Sequence, residues 1–138
     1  MMKGLISIKP EHVKNIIQGH KTVELRTRRL NLPIGSKLWI YTTLPTGCIE
    51  AVTEIKFIVT SSPDKIWEDF NAEMCITKEL FDKYTEGKNA VSAIGLANVK
   101  QTDKSLCLKA LRAIDKKFMP PQFFIKLTPD KKITEAFV

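Results

Sequence analysis

Cysteine is too scarce and too scattered here to organise the chain. Cys48, Cys75 and Cys107 are odd in number, widely spaced and free of any C-x-x-C pair, so neither a disulfide framework nor a zinc site is suggested, and reduced thiols in a cytoplasm are the simple expectation. Long apolar runs are also missing. No segment approaches the roughly 20 residues of a membrane span, and Leu5-Ile6-Ser7-Ile8 is cut off by Lys9-Pro10 too soon to serve as a signal segment. Histidine is rare. His12 and His20 flank the first expected helix with no cysteine or carboxylate cluster beside them, which favours surface positions over metal ligation. No repeat, low-complexity tract or linker interrupts the sequence, and nothing in it calls for a cofactor.

What is present fits one domain spanning residues 1–138, with 43% hydrophobic and 27% charged residues, enough to build a real interior. The formal charge of +7 favours association with a polyanion without establishing it, because net charge speaks to association and solubility rather than to fold.

Residues 5–9 read as a short strand. Pro10 then sits where a first helical turn tolerates a missing N–H, Val13, Ile16 and Ile17 make one apolar helical face, and Gly19 is placed to end that helix in a left-handed conformation. From Lys21 to Arg26 the period changes to two. Val23 and Leu25 share one face; Thr22, Glu24 and Arg26 share the other. Residues 37–43 and 48–59 read as two further strands, the second long enough to suit the bent strands of a small barrel. Ser62-Pro63-Asp64 opens a helix carrying Ile66, Trp67 and Phe70 inward, and a second helix from Thr77 carries Leu80, Phe81 and Tyr84 on one face. Residues 90–100 form a strand with Gly95 inside, where a strand bulges or lets a neighbour come close. Residues 106–114 read as a strand end plus a short helix, residues 122–127 as a last strand after Pro120-Pro121, and the polar segment 129–138 as a tail that frays or lies on the surface.

The chemistry concentrates in Gly19-His20-Lys21-Thr22-Val23-Glu24-Leu25-Arg26. Glu24 and Arg26 project from one strand face, so the guanidinium can hold the carboxylate ionised. Lys21 stands where the strand begins, near enough to reach the same hollow. On pattern alone the trio is equally an ordinary surface ion pair on a solvated edge strand, worth roughly 0–1 kcal/mol. Trp39 and Trp67 read as core or cleft wall. Arg28-Arg29, Lys116-Lys117 and Lys131-Lys132 read as solvated charges that become an electrostatic footprint only if several face the cleft.

Gly19, Lys21, Glu24 and Arg26 match the G-x-K-x-x-E-x-R signature of the ASCH superfamily, and the chain resembles that superfamily further in Ile8-Lys9-Pro10, Tyr41-Thr42-Thr43, Ile66-Trp67, Phe81 to Tyr84 and Pro120-Pro121-Gln122, in the same order. The resemblance implies an α+β, PUA-like barrel of five or six strands with flanking helices. It also implies a cleft that takes RNA, a nucleotide or a modified nucleoside, with Lys21, Glu24, Arg26 and Tyr41 as ligand-binding residues. Lys21 would meet a phosphate or base carbonyl, and Glu24 would hold Arg26 or accept from a base amino group. Some relatives are amidohydrolases that deacetylate acetylcytidine with a lysine, a threonine three residues later and a distant glutamate. Lys21 and Glu73 suit the first and last roles, but Glu24 stands at the nucleophile position and cannot become an alkoxide. An enzyme built on these residues would need Glu24 or Glu73 as general base on a water, with Lys21 stabilising the oxyanion. Ribonuclease action, another activity class of the superfamily, would draw on Tyr41 and Lys21.

Overall fold

The computed structural model describes residues 2–138. Its frame is a six-stranded sheet with β1 at Lys3–Ile8, β2 at Val23–Arg26, β3 at Lys37–Thr42, β4 at Cys48–Ser61, β5 at Val91–Gln101 and β6 at Phe124–Lys126, ordered β2-β5-β4-β3-β1-β6. Only β1 and β3 run parallel. The helices are α1 at Pro10–Ile17, α2 at Pro63–Met74, α3 at Lys78–Thr85 and α4 at Leu108–Ile114, with a short 3-10 helix at Lys132–Ala136.

Local chemistry sets these boundaries. Pro10 opens α1, and Gly19 at φ 83° turns the chain out of it, a conformation that costs glycine little. The Ser62 hydroxyl accepts from the Lys65 N–H to start α2, and the Thr77 hydroxyl accepts from the Leu80 N–H to start α3. β4 runs for 14 residues because it bends. Its register against β5 shifts twice, between Val52 and Glu54 and between Ile55 and Phe57, and each irregularity adds local twist. One strand therefore serves three apolar clusters in turn, through Ile49, then Ala51 and Ile55, then Phe57 and Val59.

Alternation assigns the faces of the sheet. Ile6, Ile8, Leu38, Ile40, Ile55 and Ile94 point into the curl and are closed by Val13 and Ile16 of α1. Leu5, Trp39, Tyr41 and Ile49 point outward under Leu111 of α4. At the other end Val23, Leu25, Val91 and Ala93 point outward under Ile66, Met74 and Phe81. The curl is incomplete, since β2 and β6 end the sheet as unpaired neighbours.

Several expectations from the sequence need correction. Segment 129–138 does not fray: Ile133 and Phe137 are buried, and Phe137 sets its ring edge-on to Trp39 at 5.5 Å. Two large apolar side chains four residues apart, with Ala136 beside them, dock a tail whose other residues are mostly polar. The last strand is only three residues long. In α3 only Phe81 of the three expected inward residues is buried, seated 5.0 Å from Trp67, while Leu80 and Tyr84 are 58% and 46% exposed. The helix rests on the Phe81–Thr85 row, and Leu80 and Tyr84 form a second i,i+4 row turned outward. The three thiols are not all free either. Cys48 and Cys107 meet as an isolated antiparallel bridge and are joined as a disulfide, leaving only Cys75 unpaired. Backbone bonds from Ile49 to Leu106 and from Leu108 to Gly47 bring the two segments together, a pairing no local spacing announces.

Candidate functional site at the open seam

The β2 edge faces β1 and β6 across the gap that the sheet leaves, and one side chain crosses it. The Arg26 Nη2 donates to the Ser7 carbonyl of β1 at 2.7 Å, and its guanidinium lies 5.1 Å from the centre of the Phe123 ring, just before β6. The Ser7 N–H already uses the Phe123 carbonyl, so Arg26 continues the closure beyond the point where the short β6 stops supplying partners.

Beneath Arg26 lies a buried relay of charge. Its Nε and Nη2 both donate to Oε2 of Glu24, at 3.0 and 2.7 Å. That leaves Oε1 turned to the Lys21 Nζ at 3.5 Å. The same ammonium donates to the Met74 carbonyl at 2.6 Å. Met74 is the last residue of α2, so Lys21 satisfies a carbonyl that the helix cannot, at the end where its dipole favours a cation. The backbone positions Lys21 for this: its N–H bonds the Asn15 carbonyl at the end of α1, and the Thr22 N–H bonds the Glu73 carbonyl. Strand parity then carries Glu24 and Arg26 to the inner face, where Glu24 pairs in register with Ile94.

Lys21 is 2% and Glu24 4% exposed, so this is not the surface ion pair that the pattern also allowed. Burial pulls the Lys21 ammonium below its ordinary 10.5, and Glu24 only partly restores it. Burial pushes the Glu24 carboxyl upward, yet the charges of Arg26 and Lys21 outweigh it and hold the group below 4.5. Two cations against one anion leave the cluster a net positive charge, and Arg26, the outermost member, presents it to solvent.

His12 joins this cluster, contrary to the surface position expected for it. It is half-buried, its Nδ1 is sealed from solvent without a hydrogen-bond partner, and burial together with Lys21 lowers its pKa below 6.5. The signal available was its place in the first turn of α1, whose next residue, Val13, faces the core. A depressed His pKa means that protonation favours the unfolded chain, and a depressed Glu pKa means that ionisation favours the folded one. Stability should therefore fall in two limbs on acidification, the first starting below about pH 6.5 from His12 and the second below about pH 4.5 from Glu24. The thermal midpoint followed against pH should show both, and His12→Gln should erase the upper limb alone. A profile unchanged by that substitution would contradict this assignment.

The other two sequence candidates stand apart. Glu73 contributes its carbonyl, not its carboxylate, and Lys21 pairs with Glu24 instead. Tyr41 lies on the outer face of the sheet, in the cluster of Trp39 and Ile49, because its position in β3 alternates with the inward Ile40 and Thr42. Burial raises its phenol pKa against the influence of Arg112 of α4.

Directly over Arg26 the seam widens into a groove of about 620 Å³. One wall is Arg26, Thr27, Arg28 and Arg29, following β2; the other runs from Pro121 to Ile125 into β6, and Tyr84 of α3 also borders it. Arg28 and Arg29 are exposed. Sequence reasoning placed Arg28 and Arg29 as conditional charges and overlooked Phe123, since the two walls lie about a hundred residues apart.

A curled six-stranded sheet flanked by helices is the α+β, PUA-like fold of ASCH proteins. The family model "Domain of unknown function (DUF365)" matches residues 3–120, and the chain is 31% identical over 121 residues to an ASCH domain-containing ribonuclease of Zymomonas mobilis, covering 87% of this chain and 80% of that protein. The chain therefore belongs to the DUF365 family and is an ASCH domain protein. The crystal structure of ASCH from Zymomonas mobilis superposes with a TM-score of 0.88 at 28% identity, over 96% of this chain and 91% of that one. A tyrosine-to-phenylalanine mutant of that protein gives 0.87 at 29% identity, over 97% and 94%. The N-terminal domain of Staphylothermus marinus McrB shares the fold alone, with a TM-score of 0.57 at 8% identity over 99% and 94%.

Proposed function

We propose that this protein binds RNA along the seam groove. Arg26 meets a phosphate at the floor, and Arg28 and Arg29 meet its neighbours on the rim. The observation that carries this reading is the position of Arg26: a guanidinium held by a buried carboxylate, backed by an aromatic ring and opening into a groove flanked by two more arginines. Such a cation is fixed before the ligand arrives, so little ordering cost falls on binding. Lys21 and Glu24 are positioning residues here, because both are closed to solvent and act through Arg26. The net charge of +7 adds long-range attraction for a polyanion.

The test is the affinity for short RNA as a function of salt. Log K should fall linearly with log salt concentration, and replacing Arg28 and Arg29 together by serine should make the slope shallower by roughly 1 per residue. Binding that ignores salt, or no binding at all, would overturn the reading.

RNA cleavage is the second reading, favoured by the relative of 31% identity whose name is that of a ribonuclease. Arg26 is placed to stabilise the charge that builds on a phosphate under attack. Incubating labelled RNA with the wild type and with Arg26→Lys tests this, since lysine keeps the charge and loses the planar fork; products that form equally with both would remove Arg26 from the chemistry. The acylated-nucleoside hydrolase fits less well. Its nucleophile position holds Glu24, committed to Arg26 and Lys21, and the Glu73 carboxylate does not pair with Lys21.

A further inference from the structure

Tyr84 is a large aromatic side chain without a structural task. It is 46% exposed, belongs to none of the three apolar clusters, and among the described residues no other ring stacks on it. Single exposed apolar residues are commonplace, but this one borders the arginine groove. Phe123 cannot take the same role. Its ring carries the Arg26 guanidinium and meets Phe124 edge-on at 4.9 Å, and it is packed against the inner core.

We propose that Tyr84 is the stacking platform for an unpaired base, so that the groove takes a single strand: the base lies on the phenol ring while Arg28 and Arg29 hold flanking phosphates. Gln122, exposed on the opposite wall, offers an amide with both donor and acceptor to a base edge. The inference rests on the RNA reading above and sharpens it to a strand class. A base paired and stacked within a duplex has no free face to offer, whereas every unpaired base does, so the site selects for strandedness over sequence. Stacking and phosphate contacts are common to RNA and single-stranded DNA; the RNA assignment comes from the parent reading and needs its own arm in the test.

The experiment measures anisotropy of a short labelled oligo(A) RNA, of the same strand annealed to its complement, and of oligo(dA). The proteins are the wild type, Tyr84→Leu and Tyr84→Phe. Tyr84→Leu should weaken single-strand binding by about 5- to 150-fold, the range that loss of one base–aromatic stack spans. It should leave the salt slope and the duplex affinity as they were, and Tyr84→Phe should bind like the wild type because only the ring is needed. Equal single-strand affinity for Tyr84→Leu and the wild type would overturn stacking, as would an equal loss on duplex. Wild-type binding of RNA with a steep salt slope beside a silent Tyr84→Leu would sink this inference and spare the parent reading. No RNA binding by the wild type would sink both, and oligo(dA) bound as tightly as RNA would overturn the assignment to RNA. Tyr84 is exposed, so unchanged circular dichroism is expected of both variants.

Discussion

Glu24→Gln should destabilise the fold by about 3–5 kcal/mol, the cost of breaking a buried ion pair by removing one partner. The substitution keeps the shape and leaves an amide oxygen for Arg26. It takes away the only carboxylate among the described residues that faces the Lys21 ammonium, whose side chain is 1% exposed. Lys21 would then keep a single carbonyl, that of Met74, too little to compensate a charge withdrawn from water. Arg26 suffers less, because it retains the Ser7 carbonyl and the Phe123 face. The partner variant separates these effects. Lys21→Met leaves Glu24 paired with Arg26 and should cost less than Glu24→Gln, and the double variant should cost less than the two singles added, since it no longer strands an ammonium. Chemical denaturation measures all three. A loss below about 1 kcal/mol for Glu24→Gln, the level of an exposed pair, would mean that the cluster is hydrated and that Arg26 is not held from beneath. RNA affinity should drop in the same variant even where it remains folded.

The signature strand was legible because side-chain parity along a strand is a local property: Glu24 and Arg26 must share a face whatever the rest of the chain does. Parity does not say which side of the sheet that face belongs to. Whether the trio is a solvated pair or a buried relay depends on α1, on the last carbonyl of α2 and on β1, which the sequence separates from β2 by loops and helices. The same limit misplaced Tyr41. Its proximity to the signature was inferred from resemblance, while its alternation with Ile40 and Thr42 sends it to the outer face. His12 was misjudged for want of a cluster in sequence, although its cluster is spatial. The groove was hidden most completely, since its walls meet only when the sheet curls far enough to set the segment after β2 opposite the segment before β6. The helix starts and the strand order along the chain, by contrast, follow from capping residues and hydrophobic periods that need no tertiary information.

Phe137→Ala is the other substitution with a large expected cost, about 3–5 kcal/mol for truncating a fully buried phenylalanine. Phe137 is 0% exposed and sits among Trp39, Leu111 and Ile133. Its backbone carbonyl accepts from the Lys3 ammonium at 2.8 Å, and the same ammonium lies 5.9 Å from the centre of the Trp39 ring. The end of the chain thus closes over the start of β1, and deleting the ring opens a void beneath α4 that the rigid sheet cannot fill by collapsing. With a total stability of about 5–15 kcal/mol usual for a domain, such a loss takes a large share of the whole. Phe137→Leu should recover part of it, and removing Val138, which is 96% exposed, should change almost nothing. The denaturant midpoint distinguishes these cases. A midpoint for Phe137→Ala equal to that of the Val138 deletion would show that the last residues contribute no packing, and would return segment 129–138 to the frayed tail its composition suggested. This cluster lies on the outer face of the sheet and meets the groove wall through Ile125 rather than through the arginines, so Phe137→Ala should lower stability without altering the salt dependence of RNA binding in the molecules that remain folded, the reverse of the pattern expected for the rim arginines.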